Sequence, residues 1–335
     1  MNKLIVVIYF FLTSQSFGFG QDILKRSQIF IRDPFILADT ISKTYYMYSS
    51  SYGYKGMPAK RMGVTVYKSK DLENWTGPFK VFETGNGFWA DTTHGCWAPE
   101  VHYYKNNYYM FATFTNKSIK LKNHLSQRPD SVVIKRATVI LKSKSPLGPF
   151  KTISKTAETP SHWMVLDGTL FMEEDKPFMV FCHEWIQVYD GKIEMVALNK
   201  NLSKLKSKPQ TLFVASEAKW VKLLGLNGGG YITDGPTFYK NSKGQLIMLW
   251  SSFSKNGYAV GQAMSVSGKL KGPWQQIENP IFDADGGHPS LFKTFDGQLV
   301  MSLHQPNKGN IRCHLFRLKE NKEGLLQIEN EISLE

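Results

Sequence analysis

The sequence predicts an all-β fold: a single five-bladed β-propeller with four-stranded blades around a central channel. Three observations lead to this fold. Short strand-like runs recur from end to end, long helical periodicity is missing, and one unit of strand, polar turn and second strand repeats five times. A chain of 335 residues is also long enough for two average domains. Five related units in a row favour one domain, because each unit is long enough for one blade.

The five units share their opening, in which a small or acidic residue, often beside proline, leads into a short apolar strand. The openings span residues 32–36, 97–101, 166–170, 233–237 and 286–290. With Asp33, Pro99, Asp167, Asp234 and His288 as markers, the steps are 66, 68, 67 and 54 residues. A β-sandwich is the alternative fold, but it would not produce five homologous openings. We therefore expect Asp33, Asp167 and Asp234 to hold equivalent positions in blades 1, 3 and 4.

Residues 1–20 are predicted to be a signal peptide, which leaves residues 21–335 as the propeller domain. Lys3 supplies a positive charge, residues 4–12 form an apolar run, and small residues precede a cleavage site before Gln21. The alternative is a buried first strand or helix. No later apolar run approaches the length of a membrane span. We therefore expect a soluble, exported protein that is periplasmic or secreted. We also expect a monomer.

The three cysteines, Cys96, Cys182 and Cys313, support neither a zinc site nor a disulfide framework. No two of them lie at metal-ligand spacing, and an odd number in an exported chain leaves at least one free thiol. The pair Cys182-His183 looks like a fragment of a metal site. Because it lies in a strand-like apolar run, the sequence favours a buried structural thiol.

The formal net charge of +13 is concentrated in residues 117–155, which hold ten Lys or Arg against one acid. Such a segment could attract a polyanion. It has almost no interleaved aromatic residues and no nucleic-acid motif, so we expect no nucleic-acid partner. A solvated, lysine-rich insertion in the second blade is favoured, with an acidic polysaccharide or a cell surface as the alternative partner.

The blade openings are predicted to meet at one mouth of the channel, because the first strand of each blade lies innermost. The second strand returns to the same mouth, so hairpin pairing sets Asp167 near Glu184 and Asp234 near Trp250. The predicted ring of ionisable side chains comprises Asp33, Glu100, Asp167, Glu184, Asp234 and His288. Three tryptophans are expected close by as substrate contacts, namely Trp97, Trp185 and Trp250.

Several carboxylates beside tryptophans in a narrow pocket suit the cleavage of glycosidic bonds. One carboxylate is ionised to activate water or attack the sugar, a second protonates the leaving oxygen, and aromatic faces stack on the sugar. A third acid raises the pKa of the proton donor by like-charge repulsion. For two residues of the predicted ring, a structural role is the alternative to a role in catalysis or substrate binding. Glu100 equally fits a role in holding neighbouring blades together, and His288 a structural or ion-linked role on the axis.

The sequence resembles glycoside hydrolase family 43 over essentially the whole mature chain. The motifs that carry the resemblance are Arg32-Asp33-Pro34, Trp97-Ala98-Pro99-Glu100-Val101, Leu166-Asp167-Gly168, Asp234-Gly235-Pro236 and Gly287-His288. The resemblance implies an inverting hydrolase that needs no cofactor, with Asp33 as the general base and Asp167 as the residue that modulates the pKa of the acid. The resemblance is also compatible with a structural Ca²⁺ or other ion in the central channel.

The chain departs from the family pattern at the general acid, which is a Glu opening the fourth blade in the family and Asp234 here. Aspartate is one methylene shorter, so its proton would be withdrawn by more than about 1 Å. Glu184, the predicted cross-strand neighbour of Asp167, is therefore the preferred acid and Asp234 the alternative.

The substrate implied by the resemblance is an oligo- or polysaccharide, from whose side chains an exo-acting enzyme removes terminal furanosyl residues, first of all α-L-arabinofuranose. β-D-Galactofuranose and β-D-xylose are the competing sugars. A retaining fructan-type hydrolase is a second enzyme interpretation, which the short chain after the last predicted hairpin disfavours. The third is a non-catalytic carbohydrate-binding propeller that lost its acid, suggested by Asp234 in place of Glu.

Overall fold

The computed structural model describes residues 22–51, 62–92, 96–126, 128–154, 159–225 and 229–334. In this part of the chain five antiparallel sheets form, which confirms the predicted five-bladed propeller. The predicted signal peptide lies outside the described residues. No described helix is both long enough and apolar enough to cross a membrane.

The strands follow one another blade by blade. Blade 1 contains β1 (Ile23–Lys25), β2 (Phe35–Asp39), β3 (Thr44–Ser51), β4 (Gly63–Ser69) and β5 (Asn74–Glu83). Blade 2 contains β6 (Trp97–Tyr104), β7 (Asn107–Lys120), β8 (Ile134–Ser143) and β9 (Lys151–Thr152). Blade 3 contains β10 (Val165–Glu173), β11 (Lys176–His183), β12 (Lys192–Ala197) and β13 (Gln210–Val214). Blade 4 contains β14 (Asp234–Lys240), β15 (Leu246–Ser254), β16 (Gly257–Ser265) and β17 (Trp274–Gln276). Blade 5 contains β18 (Gly287–Lys293), β19 (Leu299–Gln305), β20 (Arg312–Glu320) and β21 (Leu326–Ile332).

Helical structure is confined to short turns among the described residues. They are α1 (Trp185–Val188) and the 3₁₀ turns Arg26–Gln28 and Ala215–Glu217. Blade 1 departs from the predicted four strands, because β1 adds a fifth strand beside β5 at its outer edge.

The ring of blades is held closed between blade 5 and blade 1 by Arg26. This side chain is only 2% exposed, and it donates hydrogen bonds to the carbonyl of Leu72 in blade 1 and to the carbonyls of Cys313 and Ile332 in blade 5. A buried guanidinium needs such acceptors, because an unpaired buried charge is costly. Arg26 thus joins the two ends of the ring.

Apolar side chains pack between adjacent blades and fill the core. The largest groups include Trp75, Phe111, Phe181 and Trp250, all of them fully buried. The three cysteines are also buried and unpaired, as the sequence predicts for Cys182. The core therefore leaves the polar residues of the blade openings to line the channel.

Each blade opening contains one residue in the left-handed region of backbone conformation. Their φ angles are 49° at Asp33, 42° at Ala98, 54° at Asp167, 50° at Gly235 and 59° at His288. In blades 2 to 5 the pairing of the first two strands shifts register at this point, which is the effect of a β-bulge.

The expected equivalence of Asp33, Asp167 and Asp234 is wrong in blade 4. Gly235, and not Asp234, has the conformation that Asp33 and Asp167 share. Asp234 instead corresponds to Arg32 in blade 1, one residue earlier in the motif. The three carboxyl groups therefore approach the axis from two different positions of the repeat.

Candidate active site

A cavity of about 860 Å³ opens at the mouth of the channel where the blades begin. Most of the predicted site residues line it, namely Asp33, Asp167, Glu184, Asp234, His288, Trp97 and Trp185. Four of them are carboxyl residues from the openings of blades 1, 3 and 4 and from the end of β11. The predicted convergence of the blade openings is thus present in the structure.

Asp33 lies just before β2 and faces two histidines. Its Oδ1 lies 3.0 Å from Nδ1 of His304 and 3.5 Å from Nδ1 of His288. Burial opposes ionisation of this carboxyl, but His288, His304 and the Arg32 guanidinium outweigh it and hold the pKa of Asp33 well below its usual range. Asp33 is therefore ionised at neutral pH, as a group that accepts a proton from water must be.

Asp234 has the opposite character. Burial and the negative charge of Glu184 raise the pKa of Asp234 to about 7. Its Oδ2 accepts a hydrogen bond of 2.9 Å from the hydroxyl of Tyr258. A carboxyl group that keeps its proton close to neutral pH can deliver that proton to a leaving oxygen.

Asp167 lies beside Asp234 and connects the third blade to the fourth. Its Oδ2 accepts a hydrogen bond of 3.1 Å from the backbone N–H of Gly235. Burial, followed by the charges of Asp234 and Asp33, raises the pKa of Asp167 well above its usual range. Since the ionised forms of Asp167 and Asp234 repel each other, the pair retains a proton.

Glu184 follows β11 and forms a buried ion pair. Its Oε2 accepts a short hydrogen bond from Nη1 of Arg136, and both side chains are nearly inaccessible to solvent. Burial raises the pKa of Glu184, while the guanidinium of Arg136 acts in the opposite direction. Arg136 is itself held by Thr115, which accepts a hydrogen bond of 3.2 Å, and by the ring of Trp97, 4.1 Å from the guanidinium carbon.

Trp185 is the second tryptophan of the cavity wall, and it too is backed by an arginine. The guanidinium carbon of Arg128 lies 4.9 Å from the centre of the Trp185 ring, and Arg128 Nη2 donates a hydrogen bond of 2.6 Å to the Trp185 carbonyl. The ring is half-buried and borders the cavity. A tryptophan held in this way offers a rigid face on which a sugar can stack.

The two arginines correct the interpretation of the basic segment 117–155. Much of this segment is regular structure, since it includes the end of β7, β8 and β9. Arg128 and Arg136 are only 5% and 8% exposed and support the cavity wall. The segment is therefore part of the site as well as a carrier of exposed lysines.

The structure contradicts the predicted substrate contact of Trp250. The side chain is fully buried, with its ring centre 5.1 Å from that of Trp220 and 5.4 Å from that of Phe213. The physical reason is the bulge at the start of β14, which pairs Asp234 with Ser251 instead of Trp250. A shift of one residue turns a strand side chain to the opposite face.

Glu100 also lies apart from the cavity that holds the other carboxyl groups. It is 6% exposed, pairs with His102 at 3.2 Å and borders a second cavity of about 690 Å³ toward the other mouth of the channel. Glu100 therefore does not line the cavity in which the other four carboxyl groups meet. Its partner His102 lies on the same inner strand, β6.

Sequence reasoning missed three residues of the site: Tyr258, His304 and Arg136. Tyr258 is on the third strand of blade 4 and Arg136 on the third strand of blade 2, whereas the repeated motifs lie on the first two strands of each blade. For His304 a signal existed, because it ends the second strand of blade 5 opposite the His288 motif. The other two positions carry no signal without the structure.

The sequence leaves open a structural Ca²⁺ or other ion in the central channel. Among the described residues, no three His, Cys, Asp or Glu side chains lie close enough together to hold a metal ion. No chemical step below depends on a metal.

A five-bladed propeller that combines an ionised carboxylate with a protonated carboxyl group at one mouth, beside half-buried tryptophan rings, has the features of a glycoside hydrolase. The sequence profile of the glycosyl hydrolases family 43 matches residues 27–320, which is most of the chain. The protein is therefore a member of glycoside hydrolase family 43, an inverting family.

Solved structures agree with this assignment. An endo-arabinase from Bacteroides thetaiotaomicron VPI-5482 is 37% identical, with 89% of this chain and 98% of that chain covered and a TM-score of 0.79. A thermostable family-43 glycoside hydrolase is 24% identical, with 90% and 93% covered and a TM-score of 0.72. An endo-1,4-beta-xylanase from the same Bacteroides strain is 21% identical, with 90% and 95% covered and a TM-score of 0.66. No curated protein matches the chain at a significant level.

Proposed function

We propose that the protein hydrolyses α-L-arabinofuranosyl linkages of an arabinan-type polysaccharide, with inversion at the anomeric carbon. One observation carries the chemistry: a single cavity holds ionised Asp33 and an Asp234 whose pKa is about 7. The 37% identity to an endo-arabinase supports the choice of sugar over galactofuranose and xylose.

In the proposed reaction Asp33 accepts a proton from a water molecule, whose oxygen attacks the anomeric carbon. The bond between that carbon and the leaving oxygen breaks in the same step, and Asp234 donates its proton to the leaving oxygen. Asp33 ends protonated and Asp234 ionised, and exchange with solvent restores both. Asp167 and Asp234 cannot both ionise without repulsion, so the pair retains a proton beside the leaving oxygen.

The assignment of the acid to Asp234 reverses the order of the two candidates that the sequence favours. The guanidinium of Arg136 contacts Glu184 directly, and a neighbouring cation favours the ionised form of a carboxyl group. The negative charge of Glu184 in turn raises the pKa of Asp234 more than any other neighbouring charge does. Glu184 therefore acts as the fixed negative charge and Asp234 as the proton donor.

A comparison of leaving groups tests the acid. For Asp234→Asn we expect a loss of about 10²- to 10⁴-fold on arabinan and little loss on an aryl α-L-arabinofuranoside with an activated leaving group, which needs no protonation. Glu184→Gln serves as the matched variant. Equal losses on both substrates in Asp234→Asn contradict the assignment, and sparing of the activated substrate only in Glu184→Gln transfers the role to Glu184.

The same experiment tests the sugar and the stereochemistry. A panel of aryl furanosides and pyranosides should give the arabinofuranoside as the preferred substrate, and NMR of the first-formed product should show inverted configuration. Faster hydrolysis of the galactofuranoside or the xyloside would assign another sugar. Binding of oligosaccharide without any product over long incubation would instead establish a carbohydrate-binding protein.

The mode of cleavage has two candidates. The release of terminal residues follows from the family resemblance, whereas internal cleavage is favoured by the similarity to an endo-arabinase. Products formed from linear arabinan distinguish them, because an exo-acting enzyme releases one small product from the start and an endo-acting enzyme first releases a range of oligosaccharides.

We further propose that residues 1–20 direct export of the chain. The described structure is compatible with cleavage before Gln21, since β1 begins at Ile23 and no described strand would be lost.

A further inference from the structure

Tyr258 is a buried tyrosine of the cavity wall to which the reaction above assigns no role. It lies near the start of β16, and its side chain is 2% exposed. Its ring stacks on His304, with the ring centres 5.5 Å apart and the planes 20° apart. On another side it lies against Gly287, where an added Cβ would be 2.5 Å from the ring atom Cε1. The ring is therefore held in one orientation.

The hydroxyl of Tyr258 donates its proton to Oδ2 of Asp234 at 2.9 Å. Burial and the nearby charge of Asp234 raise the pKa of Tyr258 well above its usual range, so the phenol keeps its proton and is a donor at neutral pH. A buried O–H group needs an acceptor. Because Oδ2 fills that requirement, a proton held by Asp234 resides on the other oxygen, Oδ1.

We infer that Tyr258 is a positioning residue for proton transfer: its hydrogen bond selects Oδ1 of Asp234 as the oxygen that gives the proton to the leaving group. The inference rests on the proposed function of Asp234 as the general acid. It gives a part in the same proton transfer to Tyr258, which lies on a different strand of blade 4 from Asp234.

The short side chain of Asp234 gives this hydrogen bond its importance. With one methylene fewer than glutamate, the carboxyl group has less reach, so a rotated carboxyl places the proton too far from the leaving oxygen. Tyr258 restrains that rotation by binding one carboxyl oxygen. His304 contacts Tyr258 on one side and Asp33 on the other, which connects the position of the acid to that of the base.

The hydrogen bond also sets the pH range in which Asp234 holds its proton. The charged and titratable groups around Asp234 are Asp33, Asp167, Cys182, Glu184, Arg32, Tyr258 and His288, whose ring lies against Gly235. Glu184 and Asp33 oppose ionisation of Asp234, whereas the Tyr258 hydroxyl and Arg32 favour it. Loss of the hydroxyl alone therefore raises the pKa of Asp234.

Tyr258→Phe tests the inference, because it removes the hydroxyl and keeps the ring between His304 and Gly287. We expect kcat on arabinan to fall about tenfold or more, and kcat on an activated aryl arabinofuranoside to change less than about threefold. The alkaline limb of the kcat/KM profile should move up by about one pH unit, since the acid stays protonated to higher pH. A merely structural role would not move this limb.

Tyr239→Phe is the matched control. The hydroxyl of Tyr239, on β14 of the same blade, donates a hydrogen bond of 2.7 Å to Oε1 of Glu320, away from the cavity. This variant also loses a bond from a tyrosine to a carboxylate, so it reports the effect of such a loss elsewhere in the blade. Its pH profile and its ratio of rates on the two substrates should match those of the wild type.

Replacement of Tyr258 by 3-fluorotyrosine gives a second measurement with the opposite sign. The fluorinated phenol is a stronger donor and stabilises ionised Asp234, so the alkaline limb should move to lower pH. This variant keeps the hydroxyl, and it serves if Tyr258→Phe does not fold.

Equal losses of Tyr258→Phe on both substrates, or an alkaline limb that moves in neither variant, would overturn the role of Tyr258. Asp234→Asn separates this failure from that of the proposed function. If Asp234→Asn spares the activated substrate and Tyr258→Phe does not, only the inference on Tyr258 is wrong. If Asp234→Asn spares neither substrate, the assignment of the acid is wrong and the inference falls with it.

Discussion

The ion pair of Arg136 and Glu184 allows a quantitative prediction about stability. Both side chains are almost inaccessible to solvent, at 10% and 5% exposure. Arg136→Met removes the cation but keeps an unbranched apolar stem against Trp97. Removing one partner of a buried ion pair costs about 3–5 kcal/mol, because the remaining charge is left uncompensated. Loss of the contact with the Trp97 ring adds about 1 kcal/mol.

We therefore expect Arg136→Met to lower the free energy of unfolding by about 4–6 kcal/mol at pH 8, a large fraction of the roughly 5–15 kcal/mol typical of a domain. Urea denaturation followed by circular dichroism measures this loss as a lower midpoint with an unchanged slope. Lys144→Met is the control, since Lys144 is an exposed cation of the same basic segment. Its effect should stay within about 0.5 kcal/mol.

The pH dependence of the loss identifies its cause. Without Arg136, burial raises the pKa of Glu184 in the folded protein above the value of about 4.3 in the unfolded chain. The contribution of Glu184 to stability is then fully present below about pH 4.3, and it is lost as the pH rises through the pKa of Glu184 in the folded protein. The loss in Arg136→Met should accordingly be smaller at pH 5 than at pH 8. The double variant with Glu184→Met should be more stable than Arg136→Met at pH 8, because no orphaned charge remains.

Two results would refute this reasoning. A loss below about 1 kcal/mol in Arg136→Met would show that the pair is effectively solvated. An equal loss at pH 5 and pH 8 would show that packing, and not the charge of Glu184, accounts for the destabilisation.

Two further predictions concern a tryptophan that the structure moves out of the site and the start of the mature chain. Trp250→Leu should lower the free energy of unfolding by about 3 kcal/mol with an unchanged KM for arabinan, because Trp250 packs in the core between Phe213 and Trp220. Trp185→Leu should do the reverse, with KM raised about tenfold, and a raised KM in Trp250→Leu would contradict the placement. Protein recovered after expression in an exporting bacterial host should begin at Gln21 on N-terminal sequencing, and recovery of chains that begin at Met1 would contradict the signal peptide.

The propeller was predictable because the sequence signals that define each blade are local. Each blade is built from strands that are neighbours along the chain, so a repeated sequence unit is also a repeated structural unit. The openings also carry Asp33, Asp167 and His288 in the same left-handed conformation, so a motif search finds side chains that meet on the axis.

The errors arose where one residue of register decides the direction of a side chain. Trp250 and Ser251 are adjacent in sequence, yet the bulge at Asp234 makes Ser251 its partner and turns Trp250 into the core. Neither hydrophobicity nor spacing distinguishes the two outcomes, because a bulge consumes a residue without altering the apolar pattern.

By itself, the sequence determined the five-bladed fold and four of the carboxyl residues that meet at one mouth of the channel, Asp33, Asp167, Glu184 and Asp234. Only the tertiary structure decided which of them keeps its proton. A pKa depends on burial and on the charges and donors within a few ångströms, and for these carboxyl groups the deciding neighbours come from distant parts of the chain. Arg136 favours ionised Glu184, His304 favours ionised Asp33, and Tyr258 holds Asp234.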